Sequence, residues 1–193
     1  MPRQLLRTPD PGDHEVAATS NASSSPTLHW TWLGVAALLA QIGAVYFIDA
    51  EGALGLTRRI VIPLTVALAV AFALRNQHLW GLRLMAAGLL LNLLTICANG
   101  GLMPVSPEDV AAVNMLDRID NVHLGEPIPG SKGILTAPHD ARLWVLSDII
   151  VFPPRSPVAK VVSAGDLLVL GGLVIACAEV IGTVRGRTAA DRP

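Results

Sequence analysis

Between Val16 and Ile48 the chain carries no Asp, Glu, Lys or Arg, and from about Trp30 onward that stretch is almost wholly apolar. No other feature constrains folding as much, because about 20 apolar helical residues cross a hydrocarbon layer of roughly 30 Å. Lipid offers the backbone no hydrogen-bond partner, so a crossing segment must be a helix or part of a closed barrel. Comparable apolar stretches recur at Ile60 to Leu74, Leu84 to Ala98 and Gly165 to Val184. Over 193 residues, 52% are hydrophobic and 15% charged, against about 25% charged in a soluble domain. The fold class read from this pattern is an all-α integral membrane protein. It is a four-helix transmembrane bundle with a long structured external connection that contains short helices.

The spans are placed at about 30–48, 60–76, 80–98 and 165–184 within a membrane domain of residues 28–184. Trp30 and Trp32 mark one end of the first span, and Tyr46 and Phe47 the other, as amphipathic rings do at headgroup level. The second and third are short, so they either cross with their flanking arginines snorkelling or form a re-entrant hairpin. Residues 1–27, rich in Pro, Ser, Thr and Asp, lack material for a core and read as a disordered tail. A cleaved signal peptide is the alternative, less suited to an apolar run that starts near residue 30. Residues 185–193 form a C-terminal tail. Arg75 and Arg83 between spans two and three, with Arg185, Arg187 and Arg192, outweigh Arg58 and Arg59 between spans one and two. The positive-inside rule then puts both termini in the cytoplasm of a multi-pass protein of the cell's inner (plasma) membrane, with 99–164 outside.

Within the spans, Gln41 and Asn92 fall at a similar depth and are expected to hydrogen-bond across helices, a bond worth on the order of 1 kcal/mol. The alternative is an ion or ligand path. Glu179, deep in the fourth span, is expected to snorkel or to pair with Arg75 or Arg83. Cys97 and Cys177 lie at depths too different for a disulfide and read as small packing residues. The five histidines show no metal-ligand spacing, so no metal and no cofactor is expected. A net charge of −1 gives no reason to expect nucleic acid.

Residues 99–164 are far longer than an ordinary helix–helix link, which marks a functional or a disordered segment. Ser106-Pro107-Glu108-Asp109 begins a helix in the usual way, and Val110, Val113, Leu116 and Ile119 at helical spacing extend it over 107–119. Pro127 to Gly133 is turn material. Asp140 to Phe152, closed by Pro153-Pro154, is read as a second short helix lying in the outer interface or dipping into the bundle, with Trp144 at headgroup depth. Ser163-Ala-Gly-Asp166 has the form of a capping box opening the last span. Asn99, Gly100, Gly101 and Gly133 supply backbone free to take positive φ.

The motifs Asn99-Gly-Gly-Leu-Met-Pro-Val-Ser106, Gly130-Ser-Lys-Gly-Ile-Leu135, Leu143-Trp-Val-Leu-Ser-Asp-Ile-Ile150 and Ser163-Ala-Gly-Asp166 together resemble a family of small bacterial multi-pass membrane proteins known only as a domain of unknown function. The resemblance covers about residues 38–182. It implies the architecture and a role for the connection, and it carries no reaction and no catalytic residue. From the residues themselves, Lys132, Asp140, Arg142, Asp148 and Asp166 form a candidate polar site at the outer face, with Arg142 expected on Asp140 or Asp166 and Lys132 on Asp148. That cluster either holds the connection down or lines a pocket. Three functions follow. The first is a cell-envelope binding or assembly protein whose outer loop docks a lipid headgroup or an envelope protein. The second is a membrane enzyme on a lipid-linked substrate. The third is a small transporter or channel, which would need a homo-oligomer.

Overall fold

The computed structural model describes residues 28–48, 52–113, 121–152 and 160–190. The expected N-terminal tail, the second half of the 107–119 helix and the Pro153-Pro154 strip lie outside these residues. Four apolar helices form the body: α1 (Thr31–Tyr46), α2 (Gly52–Arg75), α3 (Trp80–Ala98) and, after the long connection, α5 (Ala164–Ala190). Three contain segments long and apolar enough to cross a membrane: Gly55–Arg75, Trp80–Ala98 and Ala164–Val184. The 16 residues of α1 rise about 24 Å at ~1.5 Å each, short of a full crossing. Among the described residues there are thus three candidate spanning helices and a shorter apolar one.

Two boundaries move from the sequence reading. Helix α2 begins eight residues before Ile60 and takes Arg58 and Arg59 into its first turns. Helix α5 runs beyond Val184 to Ala190. Charge-free runs locate apolar segments, whereas arginine is itself a good helix former, so helices continue past the runs.

The helices alternate in direction. His29, before α1, exchanges hydrogen bonds with Asn76, just after α2: its N–H donates to Asn76 Oδ1 (2.6 Å), and Asn76 Nδ2 donates to its carbonyl (2.8 Å). Antiparallel α3 and α5 make the closest pairing. Gly81 and Gly88 on α3 meet Gly172 and Gly165 on α5 so tightly that a Cβ on any of them would overlap the facing backbone or side chain. Glycine permits that approach, and close backbone packing is what holds helices together where no hydrophobic drive exists. At the Gly81 end of the pair, Glu179 of α5 accepts from the N–H groups of Trp80 (3.0 Å) and Gly81 (3.1 Å). It caps the N-terminus of α3 instead of pairing with an arginine, an anion placed at the positive end of a helix. Arg83 stacks on Trp80, 4.3 Å from the ring centroid, and donates to the carbonyl of Gln77.

The connection is not purely helical, which corrects the all-α reading to a mostly helical one. Strand β1 (Met103–Val105) pairs in parallel with β2 (Gly133–Leu135), and β3 (Ile150–Phe152) pairs antiparallel with β4 (Lys160–Val162). Helix α4 (Pro107–Ala112) follows β1, capped by Ser106, whose Oγ accepts from the Asp109 N–H (3.0 Å). The helix expected over 140–152 is replaced by a single 3-10 turn at Trp144–Leu146 followed by β3. Ile150-Val-Phe152 is β-branched and aromatic, favourable to a strand, and three residues are too few for periodicity to decide between helix and strand.

The connection packs onto one end of the bundle. Leu102, Met103 and Ile134 share a buried cluster with Ala44 of α1, Ile62 and Val66 of α2 and Ile96 of α3. A second cluster, Val105, Val110, Ile128 and Leu135, belongs to the connection itself. At Gly101 (φ +95°) a Cβ would overlap the carbonyl of Arg59, so a left-handed glycine lets the chain turn directly over α2. Gly100 also takes positive φ, at +73°, whereas Gly133 lies in β2 and the later turns use Gly125 and Gly130.

Candidate functional site

Helix α5 opens with the capping box read in the sequence. Asp166 N–H donates to Ser163 Oγ (3.0 Å), and Ser163 N–H donates to Asp166 Oδ2 (3.3 Å). Here the box extends into the bundle. Ser163 Oγ donates to Asn92 Oδ1 (2.7 Å), and Asn92 Nδ2 donates to Asp166 Oδ1 (2.7 Å). Asn92 therefore bonds α5 and not Gln41 of α1. Because Asn92 lies seven residues before Asn99, α3 stands about 10 Å, two turns, above the level where α5 begins. The chain must descend beside α3 before it enters α5, and a recess forms there.

Lys132, in the tight turn before β2, reaches into that recess. Its Nζ donates to both oxygens of Asp166 (2.9 and 2.7 Å) and stands 3.8 Å from Asp148 Oδ1. Burial works against its charge, yet Asp148 and Asp166 outweigh burial and hold the ammonium above the usual lysine range. Asp148 follows the 3-10 turn. Its backbone N–H donates to the carbonyl of Pro104 (3.1 Å), which fixes it beside β1. It is 5% exposed, and Oδ1 has no hydrogen-bond partner among the described residues. Burial pushes its pKa up to about 7, against the pull of Lys132 and with Asp166 adding to the rise.

Lys132, Asp148 and Asp166 line one cavity of about 310 Å³ together with Val105, Val110, Val113, Ile128, Val161 and Val162. Lys160, Tyr46, Gly130 and Ser131 also line it. The volume lies at the lower end for ligand pockets, about 300–1,000 Å³, and apolar walls with a few convergent polar groups are their usual make-up.

Two of the five candidates stand apart. Asp140 is exposed, and its carboxylate's ion pair among the described residues is with exposed His139 (3.5 Å). The exposed Arg142 is held through its backbone: its N–H donates to Asn99 Oδ1 and its carbonyl accepts from Asn99 Nδ2, both at 2.8 Å. Asn99 thus acts as a clamp on the 3-10 turn through its side chain, beyond the backbone role expected of it. Glu179 is at the opposite end of the bundle, capping α3. Cys97 and Cys177 are free and exposed on the helix surfaces, not packed inside. Both helices are apolar all round, so their composition does not reveal which face turns inward. Among the described residues no cluster of three His, Cys, Asp or Glu is arranged to hold a metal.

Sequence reasoning missed Lys160 and Tyr46 as cavity residues. Tyr46 had been read only as a headgroup-level ring, and nothing around Lys160 distinguishes it from a solvated strand-edge lysine.

No curated protein and no solved structure matches the chain. A family described as a family of unknown function matches residues 26–178, roughly four fifths of the length and all the elements that frame the cavity. The chain belongs to that family, DUF5317.

Proposed function

We propose that the protein is a multi-pass membrane protein of the cell's inner membrane that binds an amphipathic ligand, a lipid headgroup, in the cavity beneath its 99–163 connection. One observation carries the reading: the charged cavity opens at the start of an apolar helix and shares a wall with Tyr46. Tyr46 is 66% exposed, its neighbour Phe47 85%, and such rings favour headgroup depth. A site at this level meets headgroups by lateral diffusion and buries its charges away from water.

We further propose that the connection faces outward and both chain ends face the cytoplasm. Of the arginines on the connection side, Arg58 is buried and donates to the carbonyl of Ile128 (3.2 Å). Arg59 reaches the carbonyls of Gly100 (3.4 Å) and Gly125 (3.5 Å). These two are committed to holding the connection, while Arg75 and Arg83 border the opposite face.

Native mass spectrometry of the protein released from lipid nanodiscs tests the binding reading. One phospholipid per chain should survive activation that strips the surrounding lipid, and Val162→Trp or Ser131→Trp, which fill the cavity, should abolish retention. Equal retention by folded, cavity-filled variants would overturn it. A second reading rests on Asp148: a buried carboxyl that titrates near neutrality suits a general acid or base, as an enzyme on a lipid-linked substrate would need. Chemical change of bound lipid by the wild type and not by Asp148→Asn would favour that reading.

A further inference from the structure

Among the described residues, the buried groups of the cavity do not balance in charge. Two carboxylates face one ammonium, and the ammonium is already spent on both oxygens of Asp166. Asn92 and the Ser163 N–H also donate to Asp166, leaving it well satisfied. Asp148 is the exception: the residue lines the cavity and is 5% exposed, and among the described residues no hydrogen-bond donor reaches its carboxylate, whose Oδ1 is fully enclosed. A buried acceptor left in this state is costly. What would satisfy it is a donor, and what would neutralise the cluster is a cation.

We propose, resting on the reading of the cavity as a headgroup site, that it selects a primary ammonium group borne next to a phosphate. The ammonium donates to the Asp148 carboxylate, and the phosphate lies toward Lys160 at the exposed edge of the cavity. Two positive charges then stand against two negative ones. A phosphate placed deep in the cavity would instead add a second uncompensated anion. A quaternary ammonium has no N–H for the unpartnered carboxylate and is ordinarily recognised by aromatic cages, whereas among the described residues Tyr46 is the one aromatic side chain on this wall.

The ionised form of Asp148 is the one that receives the ammonium, and burial holds its pKa near 7. Binding should therefore tighten as pH rises through neutrality, by at most tenfold per unit below that pKa.

The test compares short-chain phosphatidylethanolamine, phosphatidylcholine and phosphatidylglycerol for binding to the purified full chain in detergent, by calorimetry at pH 6 and pH 8. The expected result is at least tenfold tighter binding of phosphatidylethanolamine than of phosphatidylcholine at pH 8. The preference should shrink at pH 6, vanish in Asp148→Asn and persist in Asp140→Asn. Free phosphoethanolamine supplies the arm for the source: binding as tight as the lipid supports the ammonium site with a soluble ligand, and much weaker binding supports it with a lipid. Equal affinity for ethanolamine and choline lipids, tighter binding of phosphatidylglycerol, or a preference that survives Asp148→Asn would overturn the ammonium assignment while leaving a headgroup site in place. Failure of every lipid to bind, in a wild type that retains its fold, would overturn both.

Discussion

Asp148 sits where two requirements conflict: a backbone position fixed beside β1, and a carboxyl enclosed with another carboxyl nearby. Lys132 relieves only part of the cost. In an unfolded chain the group titrates near 3.9; in the folded protein it does so near 7. Between those values the folded state keeps a proton that the unfolded state has released, so stability from this group is complete below about pH 4 and is lost as pH rises through 7. The unfolding temperature in detergent should therefore fall between pH 4.5 and 7.5, and Asp148→Asn should flatten that slope; an unchanged slope would place the titrating group elsewhere. Charges standing among glycines, serines and apolar residues made Lys132, Asp148 and Asp166 visible in the sequence. Asp140 and Arg142 have the same local appearance, and only the fold separates them from the cavity. Asn92 was legible as interhelical glue, but its partner was not, since that depends on how far α5 starts below the top of α3.

Helices α3 and α5 are the elements on which the cavity stands. Their contact is built from absent side chains: Gly165 admits Asn92 and the backbone of Gly88, and a methyl group there meets both. Gly165→Ala should destabilise the pair by about 1–3 kcal/mol, the usual cost of overpacking, and should disturb the Asn92–Asp166 hydrogen bond. Thermal unfolding and ligand binding should both suffer, whereas Gly43→Ala, with open space around its Cβ position, should leave both unchanged. Length and apolar composition revealed the helices because a membrane crossing demands both. The strands escaped notice because each has three residues, a length at which tertiary contacts and not local pattern decide the conformation.

For the whole molecule, the open question of sidedness turns on a few arginines. In a Cys97→Ala, Cys177→Ala background, a cysteine at exposed Glu126 should react with a membrane-impermeant maleimide in intact cells, and one at exposed Gln77 only after permeabilisation. The reverse pattern would invert the proposed topology. Helix α3 is fastened to α5 at two levels, by Glu179 at one end and by the Asn92–Ser163–Asp166 bonds some 20 Å away, thirteen residues along α5 at ~1.5 Å each. Two anchors so far apart prevent the pair from sliding or swivelling. Among the described residues the shorter α1 is tied by the His29–Asn76 bonds at one end and by side-chain packing along its length, and it brings Tyr46 to the cavity at the other. Among the described residues that line the cavity, Tyr46 is therefore carried by the helix whose far end is tied by one pair of hydrogen bonds, and the cavity wall it forms is the one least firmly braced.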